Sequence, residues 1–448
     1  MKRIVFPFLV LISLACAAPA ATRPHYGGTL RVSMQSAPLT LEMPAIGAPV
    51  EYWDMARVLA LVAEPLVRVD VQGHVQAGLA VAWQSDSTWR HWQFTVRNGV
   101  KFHDGGSVRA SAIAVILKTL HPDWNISASA EAVTIDVEPG NSALLAELAL
   151  PQNFILTRNA SRIPVGTGPF RVTDFQPGKL LTLAAHDDYW GGRPYVDAVE
   201  IEFGKSLRDA ALAGELGRAD VFDAMPQATN SSPRVRTTLP KELLALVFTS
   251  NSRAQDIRLR EALADSIDRK PILSVLLKGA GEPAATLLPN WMTGYAAAFP
   301  SQRNLQRAKA LLSELRQPPL TLSYDPRDPQ AQLIAERIAL NAREVGIAIQ
   351  VSLSGVPDVR LERVALPSAD AALSLRELAK QLTLAQPVLH SSAVDDLYQA
   401  ERSLLDGFTV IPLFHLPVAR ATGVRVRGWA PDLLGRYAAA DLWLEDSR

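Results

Sequence analysis

A chain of 448 residues with 48% hydrophobic content can bury more than one core, so two or more domains are expected. Lys plus Arg and Asp plus Glu each number 45, which leaves no net field to draw the chain to nucleic acid or to an anionic membrane surface. A charged ligand would have to be met by local groups.

The chain opens on Lys2-Arg3, an apolar run from Ile4 to Ala18 and small residues around Ala18-Pro19-Ala20, the pattern of a secretory signal. No apolar run in the chain approaches the ~20 residues that span a bilayer. The mature protein is therefore expected in the periplasm. The single cysteine, Cys16, lies inside the signal. Cleavage beyond it leaves a free periplasmic protein without a thiol, whereas cleavage before it makes Cys16 a lipidated N-terminus, behind the poor lipoprotein box Ser13-Leu14-Ala15.

Tyr26-Gly27-Gly28 turns the chain into a short strand, Thr29-Leu30-Arg31-Val32. Further on come Glu64-Pro65-Leu66-Val67-Arg68 and an alternation at Trp92, Phe94 and Val96 that predicts a strand ending in an Asn98-Gly99 hairpin turn. His103-Asp104-Gly105 reads as a turn rather than as chemistry, because Asp-Gly favours left-handed geometry and no third catalytic partner stands near. Ser107 is expected to cap a helix with the stripe Val108, Ala112, Val115, Ile116 and Thr119. His121-Pro122-Asp123-Trp124-Asn125 ends that helix, and Trp124 either reaches a ligand cleft or covers a local core.

Residues 166–203 are the most patterned stretch. Gly166-Thr167-Gly168-Pro169 forms a glycine-dependent loop, and Phe170, Val172, Leu181 and Leu183 flank a Gln176-Pro177-Gly178-Lys179 turn as a hairpin with one buried face. Asp187-Asp188-Tyr189-Trp190-Gly191-Gly192 closes it, with Tyr189-Trp190 read as a packed corner. Val199 and Ile201 then alternate with Glu200 and Glu202 in another strand.

In the second half, Leu246, Val247 and Phe248 lead to Asn251 and a helical run from Asp256 to Arg269. Pro271 restarts a helix at its first turn, and Gly279 stops it. Asn304 is expected to cap a helix with the stripe Leu305, Ala308, Leu311, Leu312 and Leu315, ended by Pro318-Pro319. Leu320, Leu322 and Tyr324 alternate as a strand. Asp328-Pro329 opens a helix with Leu333, Ile334, Ile338, Ala342 and Val345 inward, and Ile347, Ile349, Val351 and Leu353 alternate after Gly346. This unit predicts a parallel crossover, with Tyr324, Asp325 and Arg327 beyond the strand end as cleft candidates.

Taken together, G-T-G-P-F at 166–170, the hairpin, and Y-W-G-G-x-P-Y-V-D at 189–197 resemble the signature of the bacterial extracellular solute-binding proteins of family 5, the dipeptide-, oligopeptide- and nickel-binding proteins of ABC importers. Tyr26–Val32 resembles the family's first strand, and Arg260–Arg269 resembles its R-x-A-L-x-x-A-I-D-R helix. The resemblance covers residues 26 to about 353 and about 395 to 448. It implies an α/β, two-lobed periplasmic binding protein (type II-like, cluster C) with an extra small subdomain in lobe one and a shortened second lobe. The implied divisions are a signal peptide at 1–20, lobe one at 21–245 with its subdomain at about 61–160, lobe two at 246–404, and a return to lobe one at 405–448, led by the strand Phe408–His415. Three departures bear on the ligand. Thr40-Leu41-Glu42-Met43-Pro44 replaces the family's Leu-Asp-Pro, Ala112 replaces an acid, and Ser354–Gln381 lacks the aromatic and aspartate residues that meet a peptide's amino end in relatives.

The resemblance implies the extracytoplasmic substrate-binding component of an ABC importer. It would trap a peptide-like solute in the interlobe cleft by hinge closure and pass it to membrane permease subunits, acting as a monomer without nucleic acid. A second reading is a degenerate scaffold serving as sensor, chaperone or partner-binding protein without import. A third is nickel-chelate or haem binding through His415, although general burial favours reading it as a packed strand histidine. With no G-x-S-x-G, H-E-x-x-H, phosphate loop or mature cysteine nucleophile, no enzyme is expected, and no cofactor or metal site is assigned. The candidate ligand-binding residues are Tyr52, Trp53, Trp124, Phe248, Asn251, Trp291, Arg327, Phe414 and His415, with Arg327 suited to a carboxylate.

Overall fold

The computed structural model describes residues 24–445 apart from 45–48, 71–73, 228–231, 316–317, 390–392, 432–434 and 436–438, so the signal-like segment and Cys16 lie outside the described residues. Three apolar cores pack on three sheets. The first sheet has seven strands in the order Phe170–Gln176, Leu180–Ala185, Ala198–Glu202, Thr29–Ser33, Val221–Ala224, Ala419–Thr422 and Val235–Thr237. Thr29–Ser33 runs parallel to both of its neighbours. The patterned stretch supplies one edge: Phe170, Leu181, Leu183, Val199 and Ile201 are wholly buried, while Glu200 and Glu202 face solvent. Gly178 turns the hairpin at φ +70°, a conformation that costs glycine little.

What fastens this stretch is a carboxylate outside it. Glu64 is buried and accepts hydrogen bonds from Thr167 Oγ1 (3.1 Å), Tyr189 Oη (3.0 Å) and Trp190 Nε1 (2.7 Å), and it pairs with Arg68. The Arg97 guanidinium lies 4.1 Å from the centre of the Trp190 ring. Tyr189-Trp190 is thus a packed corner of the frame. Gly166 and Gly168 admit the neighbouring helix end, since a Cβ on either would fall 2.1 Å from Val62 O or 2.6 Å from Val62 C. His103 sits in a turn, donating from Nε2 to Gly168 O (3.0 Å) and accepting the Gly166 amide at Nδ1 (3.3 Å).

The second sheet is antiparallel: Ala80–Ser85, His91–Val96, Ala132–Asp136 and Asn125–Ala128. Two expectations are corrected here. The Asn98-Gly99 turn leads only to an isolated bridge between Lys101 and Ser107, and the hairpin closes instead before His91, where Asp86 Oδ1 accepts the Arg90 and His91 amides. Ser107 is therefore engaged in that bridge, and the helix Ala110–Leu120 starts uncapped after Arg109. It buries Ala110, Ile113, Ala114 and Leu117, spaced i, i+3, i+4 and i+7, and leaves Val115 66% exposed.

The third sheet orders Glu282–Pro283, Val410–Leu416, Glu242–Phe248, Val359–Ala365, Leu320–Tyr324 and Ile349–Val351. Leu320–Tyr324 and Ile349–Val351 pair in parallel around the helix Ala331–Arg343. That helix turns Ile334, Ile338 and Ala342 inward as expected, but leaves Leu333 exposed and uses Ala331 and Ala335 in its place. Asn304 caps its helix by accepting the Arg307 amide. The segment after Leu353 is not simply reduced. It supplies Val359–Ala365, in the middle of the sheet, and the helix Ala371–Gln381.

The chain crosses between the first and third sheets twice, from Thr237 to Glu242 and from Leu416 to Ala419. Glu242–Phe248 and Val410–Leu416 both belong to the third sheet, so the change of lobe precedes residue 246 and follows the strand expected to make the return. The crossovers are tied by Thr238 N to Val418 O (2.9 Å), Val418 N to Thr238 Oγ1 (3.0 Å) and Lys241 N to Leu416 O (3.0 Å).

Candidate functional site at the hinge

Parallel strands of both lobes end toward this hinge. In lobe one, the helix Pro49–Val62 brings Asp54 and Arg57 to the ends of Thr29–Ser33 and Val221–Ala224. Asp54 Oδ2 accepts the Ser36 amide (3.1 Å), and Asp54 pairs with Arg57. Arg420, on the strand Ala419–Thr422, donates from Nη2 to Asp223 Oδ1 (2.7 Å) and reaches Asp54 Oδ1 at 3.4 Å. It is only 5% exposed, yet its Nε and Nη1 find no hydrogen-bond partner among the described residues. Lys241 Nζ lies 3.8 Å from the centre of the Trp53 ring. Arg57, Arg236, Lys241, Arg420, Thr238 and Trp429 are among the residues that line a small cavity of about 20 Å³.

Four of the residues expected at a ligand site converge on this region. Tyr52 is fully buried, meets Trp53 edge-on at 5.2 Å between ring centres, and has no hydrogen-bond partner for its hydroxyl among the described residues. Burial, and then the Glu377 carboxylate of lobe two, push its pKa well above the ordinary tyrosine value. Trp291 donates from Nε1 to Pro240 O (2.8 Å), in the first crossover. Arg327 pairs with Asp325 and reaches Glu51 at the start of the lobe-one helix. The helix Ala371–Gln381 adds Leu373, which packs on Ala146 and Leu150. The lobes are in contact.

The other five lie elsewhere. Trp124 stacks flat on His121 with ring centres 3.7 Å apart and packs against the small-subdomain core. Phe248 stands six residues along its strand from Glu242, roughly 20 Å from the hinge at ~3.4 Å per residue. Asn251 follows it in an exposed turn. Phe414 belongs to the lobe-two core. His415 is 2% exposed, with Nε2 3.2 Å from Leu287 O and Nδ1 3.7 Å from Glu282, so its ring is used inside lobe two. Among the described residues no group of three or more His, Cys, Asp or Glu side chains is arranged to hold a metal ion.

Sequence reasoning missed Arg57, Lys241 and Arg420. A signal existed for Arg420, since it is the charged member of a short strand of small residues that is buried at every position. It existed also for Asp54 and Arg57, an i, i+3 pair of opposite charge on one helix.

Two lobes joined by two crossovers, with polar and aromatic groups gathered where the strands end, define a two-lobed periplasmic binding protein. The dipeptide-binding protein of Pseudoalteromonas sp. SM9913, solved with Met-Leu, shares this fold at a TM-score of 0.80 and 16% identity, covering 93% of this chain and 100% of that one. The pattern of the bacterial extracellular solute-binding proteins, family 5 (middle region), matches residues 74–374, and the chain belongs to that family. It is 26% identical over 347 residues to the nickel-binding periplasmic protein of Escherichia coli K12, a match covering 66% of each chain. It is 24% identical over 393 residues to the probable D,D-dipeptide-binding periplasmic protein of the same organism, covering 78% of this chain and 75% of that protein.

Proposed function

We propose that the protein is the extracytoplasmic substrate-binding component of an ABC importer, which captures a peptide-like solute between its lobes and delivers it to permease subunits. The observation that carries this reading is the hinge: two short crossovers flanked on one side by Tyr52 and Trp53 and on the other by Trp291 and Arg327. A relative named for D,D-dipeptide binding supports this class of cargo. The placement of His415 favours a peptide-like solute over a nickel chelate or haem. The periplasm is the place of action, reached through the signal-like N-terminus, with the protein either free or held there through Cys16. The protein works as a monomer.

One observation favours a second reading, a scaffold that no longer imports. The helix Ala371–Gln381 buries Ser374, Leu375 and Leu378 and packs Leu373 against Ala146 and Leu150, so chain of lobe two itself occupies part of the interlobe space. Native mass spectrometry of the protein purified without refolding separates the two. A co-bound small molecule, released as the midpoint of unfolding falls, supports the importer, because a ligand that binds only the folded state stabilises it by RT ln(1 + [L]/Kd). An empty protein whose midpoint is unmoved by short peptides and nickel chelates supports the scaffold.

A further inference from the structure

We propose that the far end of lobe two carries a second small-molecule site, for a free amino acid with an aromatic side chain, seated on Phe299 and Phe408 and held by its two charges between Arg402 and Asp406. A solvent-open pocket of about 360 Å³ lies there, between the loop 297–300 and the end of the helix Val394–Leu405. That volume falls in the ~300–1,000 Å³ range of small-molecule sites. The hinge is remote, because Phe408 stands eight residues before Leu416, roughly 27 Å at ~3.4 Å per residue. A solute held at the hinge does not reach this pocket, so the inference goes beyond the solute-binding reading and stands without it.

The apolar walls are fixed before any ligand arrives. Phe299 and Phe408 meet with ring centres 4.9 Å apart at 57°. Tyr398 is held edge-on by Tyr295 at 5.3 Å, and the Tyr295 hydroxyl donates to the buried Glu401 (2.6 Å). The loop is pinned by Ala298 N to Ala285 O (2.9 Å) and by the buried Arg269, which donates to Ser301 O (2.8 Å) and Pro412 O (2.7 Å). The left-handed backbone at the end of the helix falls on Phe408 (φ +49°), not on the adjacent Gly407. Strain of this kind is kept where the surroundings enforce it, and it clusters at ligand clamps.

The charges define the occupant. Arg402 and Asp406 stand four residues apart, at a spacing where opposite charges can pair along a helix. Both line the pocket, yet neither side chain pairs with the other or with any described residue. A ligand with one charge leaves one of them unmatched, and a neutral ligand leaves both. A zwitterion matches both. Its carboxylate can accept two hydrogen bonds from the Arg402 guanidinium. Its ammonium can donate to Asp406, at the C-terminal end of the helix, where the macrodipole also favours a cation.

The full chain is titrated by calorimetry, at up to millimolar ligand, with L-phenylalanine, with its amide, with N-acetyl-L-phenylalanine, and with the neutral N-acetyl-L-phenylalanine amide. The expected result is that phenylalanine binds and that each blocked form binds at least tenfold more weakly. No response to phenylalanine overturns the site. Equal binding of the neutral form overturns it too, and points instead to an aromatic side chain of a docking protein. The exposed Arg402→Gln is expected to weaken phenylalanine at least tenfold and to abolish its advantage over the amide. Phenylalanine bound equally well by this variant lies elsewhere, which also overturns the proposal. Should the variant unfold, Asp406→Asn serves in its place, with the advantage over the N-acetyl form as the readout.

Discussion

Acidification should loosen the Gly166–Gly168 loop through one histidine. His103 is held neutral: burial lowers its pKa from the ordinary 6.5 to about 4, and the nearby His186 and Arg171 charges act in the same direction. Geometry agrees, because Nδ1 already accepts the Gly166 amide, so a proton added there would face another donor. A depressed histidine pKa means that the unfolded chain binds the extra proton first. The stability that His103 contributes is therefore complete above pH 6.5 and is lost as pH falls from 6.5 to about 4, by roughly 3 kcal/mol in full. Glu147 and Glu401 work the other way, because burial raises their pKa, so acidification removes a cost that their charged forms carry. The informative quantity is thus the difference between wild type and His103→Asn, which keeps an acceptor and a donor but does not titrate. Between pH 7.5 and 4.5 the wild type should lose roughly 2–3 kcal/mol more than the variant. Urea unfolding measures it, and hydrogen exchange at the Gly166 and Gly168 amides reports the same loop without requiring all lobes to unfold together. Parallel pH curves for the two proteins would refute the reasoning.

Other substitutions probe the frame and the interlobe face. Glu64→Ala strands the buried Thr167 and the half-buried Tyr189 and Trp190 as donors and should cost about 3–5 kcal/mol by urea unfolding; a loss below about 1 kcal/mol would mean that the corner stands without it. Glu401→Leu removes the acceptor for the Leu287 and Leu288 amides and the Tyr295 hydroxyl, and is expected to cost about 3 kcal/mol or more. Arg327→Ala breaks an exposed pair, so stability should change by less than about 1 kcal/mol. Its effect belongs to closure, as a larger radius of gyration by X-ray scattering; an unchanged radius would remove Arg327 from the closing contacts.

Legibility in the sequence followed the range of the forces involved. The hairpin Phe170–Ala185 and the strand Ala198–Glu202 were readable because a period of two and a glycine turn act over a few residues. The Asn304 cap and the unit from Leu320 to Val351 were readable for the same reason. Helix Ala110–Leu120 was misphased because its inner face is chosen by the sheet beneath it, and Ala110 and Ala114 are small enough to look neutral in a pattern. Phe414 and His415 were cleft candidates through their place on the strand where relatives present aromatic side chains, with packing as the favoured alternative for His415, and every residue of that strand is buried. Arg420 escaped notice because its partners Asp54 and Asp223 are 366 and 197 residues away in the chain.

The frame and the hinge are held by different means, and that difference bears on motion. Within lobe one, Asp220 accepts both Arg425 Nε (2.6 Å) and Nη2 (2.7 Å) as well as the Arg31 amide (2.8 Å), fastening the returning chain to the central strands. Glu64 does the same for the corner at Tyr189 and Trp190. Each lobe thus carries buried carboxylates that tie distant segments within it. Between the lobes lie the two crossovers, the packing of the helix Pro49–Val62 on the strand Val359–Ala365, the Lys241–Trp53 and Arg327–Glu51 pairs and the contact of Leu373 with Ala146 and Leu150. Parting the lobes leaves the buried carboxylate ties of each lobe intact, whereas deforming lobe one breaks those of Glu64 and Asp220. Motion is therefore expected at Thr237–Glu242 and Leu416–Ala419, with each lobe moving as a body.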